Sequence, residues 1–438
     1  MTSAARLAPF SDLLPVDAIL TSESTRAFSC GGLTPQYVLF PDTVDLLRSC
    51  MRAATQAGMS VMVVGTGAGL GLGNAPRQYD VAISTRRLNR IVAHEAADMT
   101  VTVQAGATLD EVNAALAHAG QHLPLDPPRP ELTTIGGLIA SDASGPLRLS
   151  HGKVRDMLIG ITVVLADGTL VKGGGRVVKN VAGYDLMKLF TGSFGTLGAI
   201  VEATFTIRPC PERDTLLVIP AADTAGALTL ALKILAAPVM PSYIEAFNAS
   251  ASAEVGADHR ARLMIGCGGH ADEVSTQHAR CAAHAGKQPL QVHEGVERAR
   301  WYAALRDWPS SGLNADLESV LGAKLSLLPS QLATILPRIE QEAVHRNTRC
   351  AILARVGSGI AYVRLIGADA AHVMPVAAWL RTTVRQAGGW TVFDRVPAPL
   401  KAQLDTWGEA PAVSLMRGIK QTLDPQNRLS PGRFVGGI

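Results

Sequence analysis

The pattern of apolar and polar residues before Pro209 predicts short strands separated by helices. Apolar residues recur at helical spacing over 42–57, and Gly58 stands where a glycine commonly follows a helix. Thr108 and Glu111 have the spacing of a capping box, so a helix is expected to begin at Thr108. Short apolar runs predict strands at 60–64, 81–84, 100–104, 158–166 and 169–172.

The chain after Pro211 repeats the order strand, helix, strand, strand, helix, strand. The first pass predicts strands at 214–219, 242–247, 261–267 and 288–293, with helices at 223–235 and 271–285. The second pass predicts strands at 318–327, 350–356, 360–366 and 390–394, with helices at 329–343 and 369–387. This is the order of the ferredoxin-like unit, so we expect one antiparallel sheet with helices on one face. An amphipathic helix is expected at 412–423.

Composition narrows the class of protein. The chain has 438 residues, of which 47% are hydrophobic and 18% charged, which excludes disorder as its main state. A net charge of +3, no dense Lys/Arg run and 5% aromatic residues argue against nucleic-acid binding. The six cysteines suggest no disulfide framework, and neither a signal peptide nor a membrane span is recognisable. These features predict a cytoplasmic chain, which could reach the inner face of the cell membrane through partners.

A glycine-rich loop at 65–73 follows the predicted strand 60–64. It lacks the third glycine of a dinucleotide fingerprint and the lysine of a P-loop, and it runs into another strand instead of a helix. Glycines let successive backbone N–H groups converge on an anion, so such a loop can hold a phosphate through its amides. The alternative is a sharp connection between two strands.

Two further segments of small residues strengthen the first interpretation. Residues 133–145 again combine bare amides with hydroxyl groups, and a third segment spans 179–202. Three such segments suggest one long ligand laid across a face rich in loops.

Together these segments resemble the FAD-binding domain of the vanillyl-alcohol oxidase / p-cresol methylhydroxylase (PCMH) superfamily. Within it they are similar to the FAD-binding subunits of bacterial glycolate oxidase. The likeness rests on the following motifs: 65–71, Pro127-Pro128, 134–137, Ser144-Gly145, 154–156, 178–186, 192–198 and 423–434. It implies a two-lobed PCMH-type FAD-binding domain at 1–211, a ferredoxin-like α+β cap domain at 212–405, and a C-terminal segment at 406–438 that returns to the FAD domain.

The resemblance also implies which residues contact FAD. The first loop and the segment after Thr133 would surround the pyrophosphate, while later residues would line the flavin. The full set is Gly65, Thr66, Gly67, Ala68, Gly69, Leu70, Thr134, Ile135, Gly136, Gly137, Ser141, Ser144, Gly145, Gly198 and Ile200. Some relatives attach flavin through a histidine in the first loop. This loop has none, so FAD is expected to bind non-covalently.

Relatives that oxidise D-2-hydroxy acids carry a stretch resembling His-Gly-Asp-Gly-Asn-x-His, which is missing here. Its absence favours a flavin subunit that works with a second flavoprotein subunit and an iron–sulfur subunit, with primary substrate oxidation on the flavoprotein partner. The other readings are a stand-alone dehydrogenase for a small 2-hydroxy acid and a non-catalytic assembly subunit.

If the chain has its own catalytic site, three residues are candidates for it. His151 would be the base, and Arg155 or Lys179 would bind the substrate carboxylate. Each also has a structural interpretation: a loop histidine, an ion pair with Asp156, and packing at a helix start. For Tyr184, as for Lys179, the family pattern implies a position near the cofactor, and the alternative is packing at a helix start.

Two further features concern the C-terminus and a possible metal site. Arg433 is expected either to clamp the tail onto the FAD domain or to lie in solvent. Two pairs have ligand-like spacing, Cys267 with His270 and Cys281 with His284. Because the first pair straddles a strand end and the second lies on a helix that packs, we expect no metal site.

Overall fold

The computed structural model describes residues 9–175, 184–311, 320–401 and 404–438, and these contain three main sheets. The first sheet has four strands in the order β1-β2-β4-β3, of which β2, β4 and β3 run parallel. Its strands are β1 (Ile19–Thr21), β2 (Tyr37–Leu39), β3 (Val61–Val64) and β4 (Val81–Ser84). Helix α1 (Val44–Gln56), capped by the Thr43 hydroxyl, packs its buried Leu47 and Met51 into the same core.

The second sheet has five antiparallel strands in the order β5-β6-β10-β8-β9. Its strands are β5 (Ile91–Glu95), β6 (Thr100–Gln104), β8 (Leu158–Val164), β9 (Leu170–Gly174) and β10 (Ala199–Thr206), while β7 (Gln121–His122) pairs separately with β11 (Arg208–Pro209). The predicted capping box is confirmed, because Glu111 N–H donates to Thr108 Oγ1 at 3.2 Å at the start of helix α2 (Leu109–Ala117).

Short helices follow α2 in the N-terminal half. They are α3 (Ile135–Ser141), α4 (Arg148–His151), α5 (Val154–Met157) and α6 (Leu186–Phe190). Helix α3 was not expected, since its sequence was interpreted as an amide-lined loop. Three glycine or serine residues in its seven positions weaken any helical signal, but the Thr134 side chain caps it and its apolar residues are buried.

The third sheet, here called the cap sheet, has eight strands in the order β15-β12-β14-β13-β17-β18-β16-β19. Its strands are β12 (Arg213–Ala221), β13 (Tyr243–Phe247), β14 (Ala261–Gly269), β15 (Gln291–His293), β16 (Val320–Ser326), β17 (Arg349–Arg355), β18 (Ile360–Ile366) and β19 (Trp390–Arg395). All neighbouring pairs are antiparallel. Each half has its strands in the order fourth, first, third, second, and the second strands of the two halves pair. The two predicted ferredoxin-like units are therefore confirmed.

The long cap helices pack on one face of this sheet and bury the largest apolar core. They are α7 (Thr224–Leu235), α9 (Ala271–Ala285), α11 (Pro329–His345) and α12 (Ala370–Gln386). The four predicted helices therefore lie on one face, as expected. Two helices that were not predicted, the shorter α8 (Ala249–Glu254) and α10 (Gly295–Asp307), cover part of the opposite face. They escaped prediction because α8 is short and α10 buries only Leu305 completely.

The C-terminal segment packs against the first sheet. It carries α14 (Val413–Leu423), and the short helix α13 (Ala398–Lys401) precedes it. Ser430 N–H donates to the Val61 carbonyl at 2.9 Å, and Leu429 lies beside Val61 in a parallel bridge. The buried Lys420 ammonium bonds Asp424 at 2.6 Å and the Thr196 carbonyl at 2.8 Å. The domain boundaries at 211 and 405 remain predictions.

None of the helices in the described ranges combines the length and apolar character that a bilayer crossing requires.

Candidate functional site

A cavity of about 330 Å³ lies where the first glycine loop and helix α3 meet the cap-sheet face opposite the long helices. That volume falls within the range of natural small-molecule sites, about 300–1,000 Å³. All three predicted small-residue segments contribute to its wall. The predicted residues that line it are Gly65, Thr66, Gly67, Ala68, Gly69, Leu70, Thr134, Gly136, Gly137, Ser141, Ser144, Gly198 and Ile200.

The first glycine loop leaves every second amide free. The N–H groups of Ala68, Leu70 and Leu72 bond within the loop. Those of Gly67, Gly69 and Gly71 donate no hydrogen bond to any residue that the structure describes. Free amides on one short loop are suited to an anion such as a diphosphate, so this side of the cavity fits the negatively charged part of FAD.

Glycine is required in this loop for two different reasons. Gly67 has φ +89°, a left-handed conformation that other residues rarely adopt. At Gly65 the reason is space, because a Cβ there would lie 2.3 Å from Thr134 Oγ1. The close approach of Gly65 to Thr134 brings the first and second segments together at the cavity wall.

Two cations, Arg433 of the C-terminal segment and Lys401 of α13, hold the loop in place. The Arg433 guanidinium donates to the carbonyls of Leu70 at 3.0 Å and Leu72 at 2.5 Å, and the Lys401 ammonium donates to the Gly71 carbonyl at 2.6 Å. Arg433 is only 4% exposed. The predicted clamp is confirmed. Because the C=O and N–H of a trans peptide point in opposite directions, the bond to the Leu70 carbonyl turns the Gly71 N–H away from Arg433.

The second segment, residues 133–145, differs from its prediction, because two amides at the start of α3 already donate hydrogen bonds within the protein. The Ile135 N–H donates to the Ala107 carbonyl at 2.8 Å, and the Gly136 N–H to the Ala105 carbonyl at 2.8 Å. These bonds consume donors that the start of α3 would otherwise offer. The segment instead presents the flat Cα surfaces of Gly136 and Gly137 to the cavity. A Cβ at Gly136 would lie 2.9 Å from the Ala105 Cβ.

Two predicted residues, Ile135 and Gly145, do not line the cavity. The Ile135 side chain is fully buried in the core beneath α3. At Gly145, a Cβ would lie 1.8 Å from the Asp126 carbonyl oxygen, so glycine there permits close packing. The neighbouring Ser144 does reach the cavity, and its carbonyl accepts a hydrogen bond from Arg355 of the cap sheet.

Two of the candidate catalytic residues, His151 and Arg155, lie outside the cavity. His151 stacks edge-on with His122 at 6.2 Å, and burial lowers the pKa of both, that of His122 to about 4. Arg155 is half exposed and lies 3.9 Å from Asp156, in agreement with its structural interpretation. Neither His151 nor Arg155 lines the cavity. Lys179 lies outside the described residues.

Other sequence candidates have surface or structural positions. Tyr184 is 93% exposed. Cys267 and Cys281 are buried and contact each other, while His270 bonds Glu212 at 3.2 Å on the surface. Among the residues that the structure describes, no group of three or more histidine, cysteine, aspartate or glutamate side chains could hold a metal ion.

Sequence reasoning missed the cap side of the cavity. It is lined by polar and charged side chains: Ser310, Lys324, Tyr362, Asp394 and Arg395. A signal for some of them exists in the sequence. Lys324 interrupts an apolar strand, and Tyr362 occupies the alternating position of another.

Two family models match the chain. Residues 35–174 match the FAD binding domain, and residues 401–434 match the C-terminal domain of FAD linked oxidases. The p-cresol methylhydroxylase crystal structure with substrate bound superposes with a TM-score of 0.76 at 16% sequence identity, covering 98% of this chain and 96% of that one. The likeness in structure confirms the predicted fold class.

Three relatives illustrate the sequence similarity. Glycolate oxidase subunit GlcD from Bacillus subtilis is 34% identical over 219 residues, which are 48% of this chain and 46% of that protein. Glycolate oxidase subunit GlcE from Escherichia coli is 40% identical over 123 residues, 28% of this chain and 35% of that one. The probable mitochondrial D-lactate dehydrogenase from Danio rerio is 26% identical over 431 residues, 92% and 84% of the two chains.

These matches show that residues 35–174 are similar to the FAD binding domain and residues 401–434 to the C-terminal domain of FAD linked oxidases, in a chain that has the fold of p-cresol methylhydroxylase.

Proposed function

We propose that this chain binds FAD non-covalently and oxidises glycolate to glyoxylate as the FAD-binding subunit of a glycolate oxidase complex. The observation that carries the proposal is that one cavity is lined both by the glycine loop with its free amides and by charged side chains of the cap sheet. The loop amides suit a diphosphate, and the cap side chains suit a small anionic substrate.

The residues that would hold FAD divide into two groups. The amides of Gly67, Gly69 and Gly71 would bind the diphosphate, each charge-assisted hydrogen bond contributing about 1.5–3 kcal/mol. The flat surfaces of Gly136 and Gly137 would flank the rest of the cofactor. No histidine or cysteine belongs to the described residues that line the cavity, which supports non-covalent binding.

FAD supplies a hydride acceptor when bound. The protein must then bind the substrate carboxylate, accept the hydroxyl proton, and exclude water from the reacting atoms. On its cap side the cavity has cations that would bind the substrate carboxylate and a carboxylate group that would accept the hydroxyl proton. This supports oxidation on this chain itself, in contrast to the expectation that a partner carries the primary oxidation.

The proposed partners are a second flavoprotein subunit and an iron–sulfur subunit, to which the electrons would pass. Support comes from the two relatives named as glycolate oxidase subunits, and each match covers less than half of the relative. A second candidate function is that of a stand-alone D-2-hydroxy-acid dehydrogenase. It is favoured by the similarity to a probable D-lactate dehydrogenase over 92% of the chain.

The test of the proposed function uses the purified chain, alone and co-expressed with the two partner subunits. We expect a yellow protein whose FAD is released by heat or acid without a covalent remnant. We also expect dye reduction with glycolate that rises when the partners are present. A colourless chain that takes up no added FAD would overturn the proposal. Full activity with D-lactate in the absence of partners would favour the second candidate.

A further inference from the structure

The cap sheet directs a lysine into the cavity by simple strand alternation. On β16, Ala323 and Leu325 are buried in the core under the long cap helices. Successive side chains of a strand point to opposite faces, so Lys324 between them points away from those helices. Lys324 lines the cavity, directly opposite Tyr362 on β18.

A bulge in the neighbouring strand places two charged residues on the same side. Gly322 pairs with Arg395, whereas Lys324 pairs with Val392, so the register shifts by one residue between these pairs. Phe393 still packs into the helix-side core. Regular alternation would send Arg395 to that core as well. Because of the bulge, Asp394 and Arg395 both line the cavity, and bulges commonly re-aim side chains in this way.

Glycine at position 322 makes room for this arrangement. A Cβ there would lie 2.8 Å from the Arg395 Cβ and 3.2 Å from Asp394 Oδ1. Any other residue would force Arg395 to shift and would crowd the Asp394 carboxylate. The sequence of β16 is therefore adapted to the bulge on β19.

Among the residues that the structure describes, the side chains of Lys324, Asp394 and Arg395 form no hydrogen bond and no ion pair within 4 Å. Arg395 Nε is buried without an acceptor. Other charged residues on the same face of the sheet are paired. Arg364 bonds Glu254 at 2.5 Å and the Trp308 carbonyl at 2.8 Å, while Arg355 bonds the Ser144 carbonyl. Charges that are left unpaired at a cavity wall indicate that a ligand completes them.

The balance of charge around the cavity favours an anion. Its described wall carries the cations Arg129, Lys324, Arg395 and Arg433, against the single carboxylate of Asp394. Arg433 faces the loop carbonyls, which leaves Lys324 and Arg395 as the free cations nearest Asp394 on the cap side. A small carboxylate is the matching ligand, because Arg and Lys bind carboxylates through charge-assisted hydrogen bonds.

We infer that Lys324 and Arg395 bind the carboxylate of a small 2-hydroxy acid, and that Asp394 accepts the proton of its hydroxyl group. The inference rests on the proposed function, since it requires FAD in the same cavity. In the step, the O–H bond breaks and its proton goes to the Asp394 carboxylate. The C2–H bond breaks and its hydrogen leaves with the electron pair to FAD, which is reduced by two electrons. The substrate is oxidised to the 2-oxo acid as the C=O bond forms.

The surroundings of Asp394 are compatible with this role. Burial raises the pKa of its carboxyl group, while the charges of Arg395, Lys324 and Arg364 oppose that rise. A carboxylate with a raised pKa is a better proton acceptor than a fully solvated one.

The first experiment measures anion binding to the FAD-loaded chain, with oxalate as the probe, by calorimetry and by the change in flavin absorbance. We expect Lys324→Met and Arg395→Met to weaken oxalate binding at least about tenfold. We expect Asp394→Asn to strengthen it, since a repelling charge is removed. Lys172→Met, which alters an exposed lysine on β9, is the matched control. Arg395→Lys replaces Arg395→Met if the latter does not fold.

The second experiment measures anaerobic flavin reduction by glycolate in the same proteins, with the partner subunits added. We expect Asp394→Asn to slow it about 100-fold or more, the usual contribution of a general base, and Asp394→Glu to restore part of it. FAD affinity is expected to stay within about twofold of wild type in every variant.

The outcomes separate the inference from the proposed function. Oxalate binding by both methionine variants that equals the Lys172→Met control would overturn the anion site. Wild-type reduction rates in Asp394→Asn would overturn the proton acceptor. A chain that binds no FAD, or a wild-type holoprotein whose flavin glycolate does not reduce, would overturn the proposed function.

Discussion

The Arg433 guanidinium donates a hydrogen bond to the Leu70 carbonyl across 3.0 Å and so ties the C-terminal segment to the first glycine loop. The residue is buried, and it also bonds the Leu72 carbonyl. A loop with several glycines loses much conformational entropy when it becomes ordered. Arg433 therefore supplies part of the order that an amide-lined anion site requires.

We expect Arg433→Ala to raise the dissociation constant of FAD at least about tenfold, because it removes two charge-assisted bonds that orient the loop. Fluorescence titration of the apoprotein with FAD measures this. Arg417→Ala is the matched control, since Arg417 bonds the Gly436 carbonyl on the surface without touching the loop. Equal FAD affinity in the two variants would refute the role given to Arg433.

We expect Gly136→Val to abolish FAD retention and lower the melting temperature. A Cβ at this position would lie 2.9 Å from the Ala105 Cβ, so α3 would have to move away from the cavity wall. Gly418→Ala on α14 is the control, because no atom lies within 4 Å of its Cβ position. Alanine should stabilise that helix by about 0.5–1 kcal/mol. Retention of FAD by Gly136→Val would show that α3 does not form the cavity wall.

We expect Tyr302→Phe to destabilise the chain by about 1–3 kcal/mol, because the Tyr302 hydroxyl donates to the buried Asp126 carboxylate at 2.6 Å. That bond links α10 of the cap to the segment that continues into Pro127 and Pro128, two residues that line the cavity. Denaturant unfolding measures the loss, and Tyr184→Phe, at an exposed tyrosine, should leave stability unchanged. Similar stabilities of the two variants would contradict the importance of this bond.

We expect stability to fall as the pH rises from about 5 to 9, through the titration of Glu245. Burial raises the pKa of this carboxyl from 4.5 to about 8, against the opposing charge of Arg355. Its folded-state pKa lies above the unfolded value, so its contribution is complete below the unfolded pKa and is lost as the pH passes the folded one. Melting curves of wild type and Glu245→Gln test this. The variant should show a flatter profile, and identical profiles would contradict the assignment.

The sequence predicted the parts of the fold that depend on local pattern. The strand at 360–366 and the helix at 271–285 have the predicted bounds, because alternation and helical periodicity are strong there. The glycine loop was located from its glycine content and its place after a predicted strand. The occupied amides of α3 could not be foreseen, since their acceptors Ala105 and Ala107 become neighbours only in the folded chain.

The residues on the cap side of the site could not be predicted from the sequence, for a different reason. Asp394 and Arg395 are consecutive, and regular alternation would place them on opposite faces of the sheet. Only the register shift between Gly322 and Lys324 puts both in the cavity. A bulge depends on the packing of neighbouring strands, and the order of residues in one strand gives little sign of it.

FAD binding in this cavity is tested most directly by the flavin content and the thermal stability of the purified chain. We expect one FAD per chain, released into the supernatant by acid or heat, and a melting temperature of the apoprotein that rises when FAD is added. A chain that purifies without flavin and whose melting temperature does not respond to FAD would contradict it.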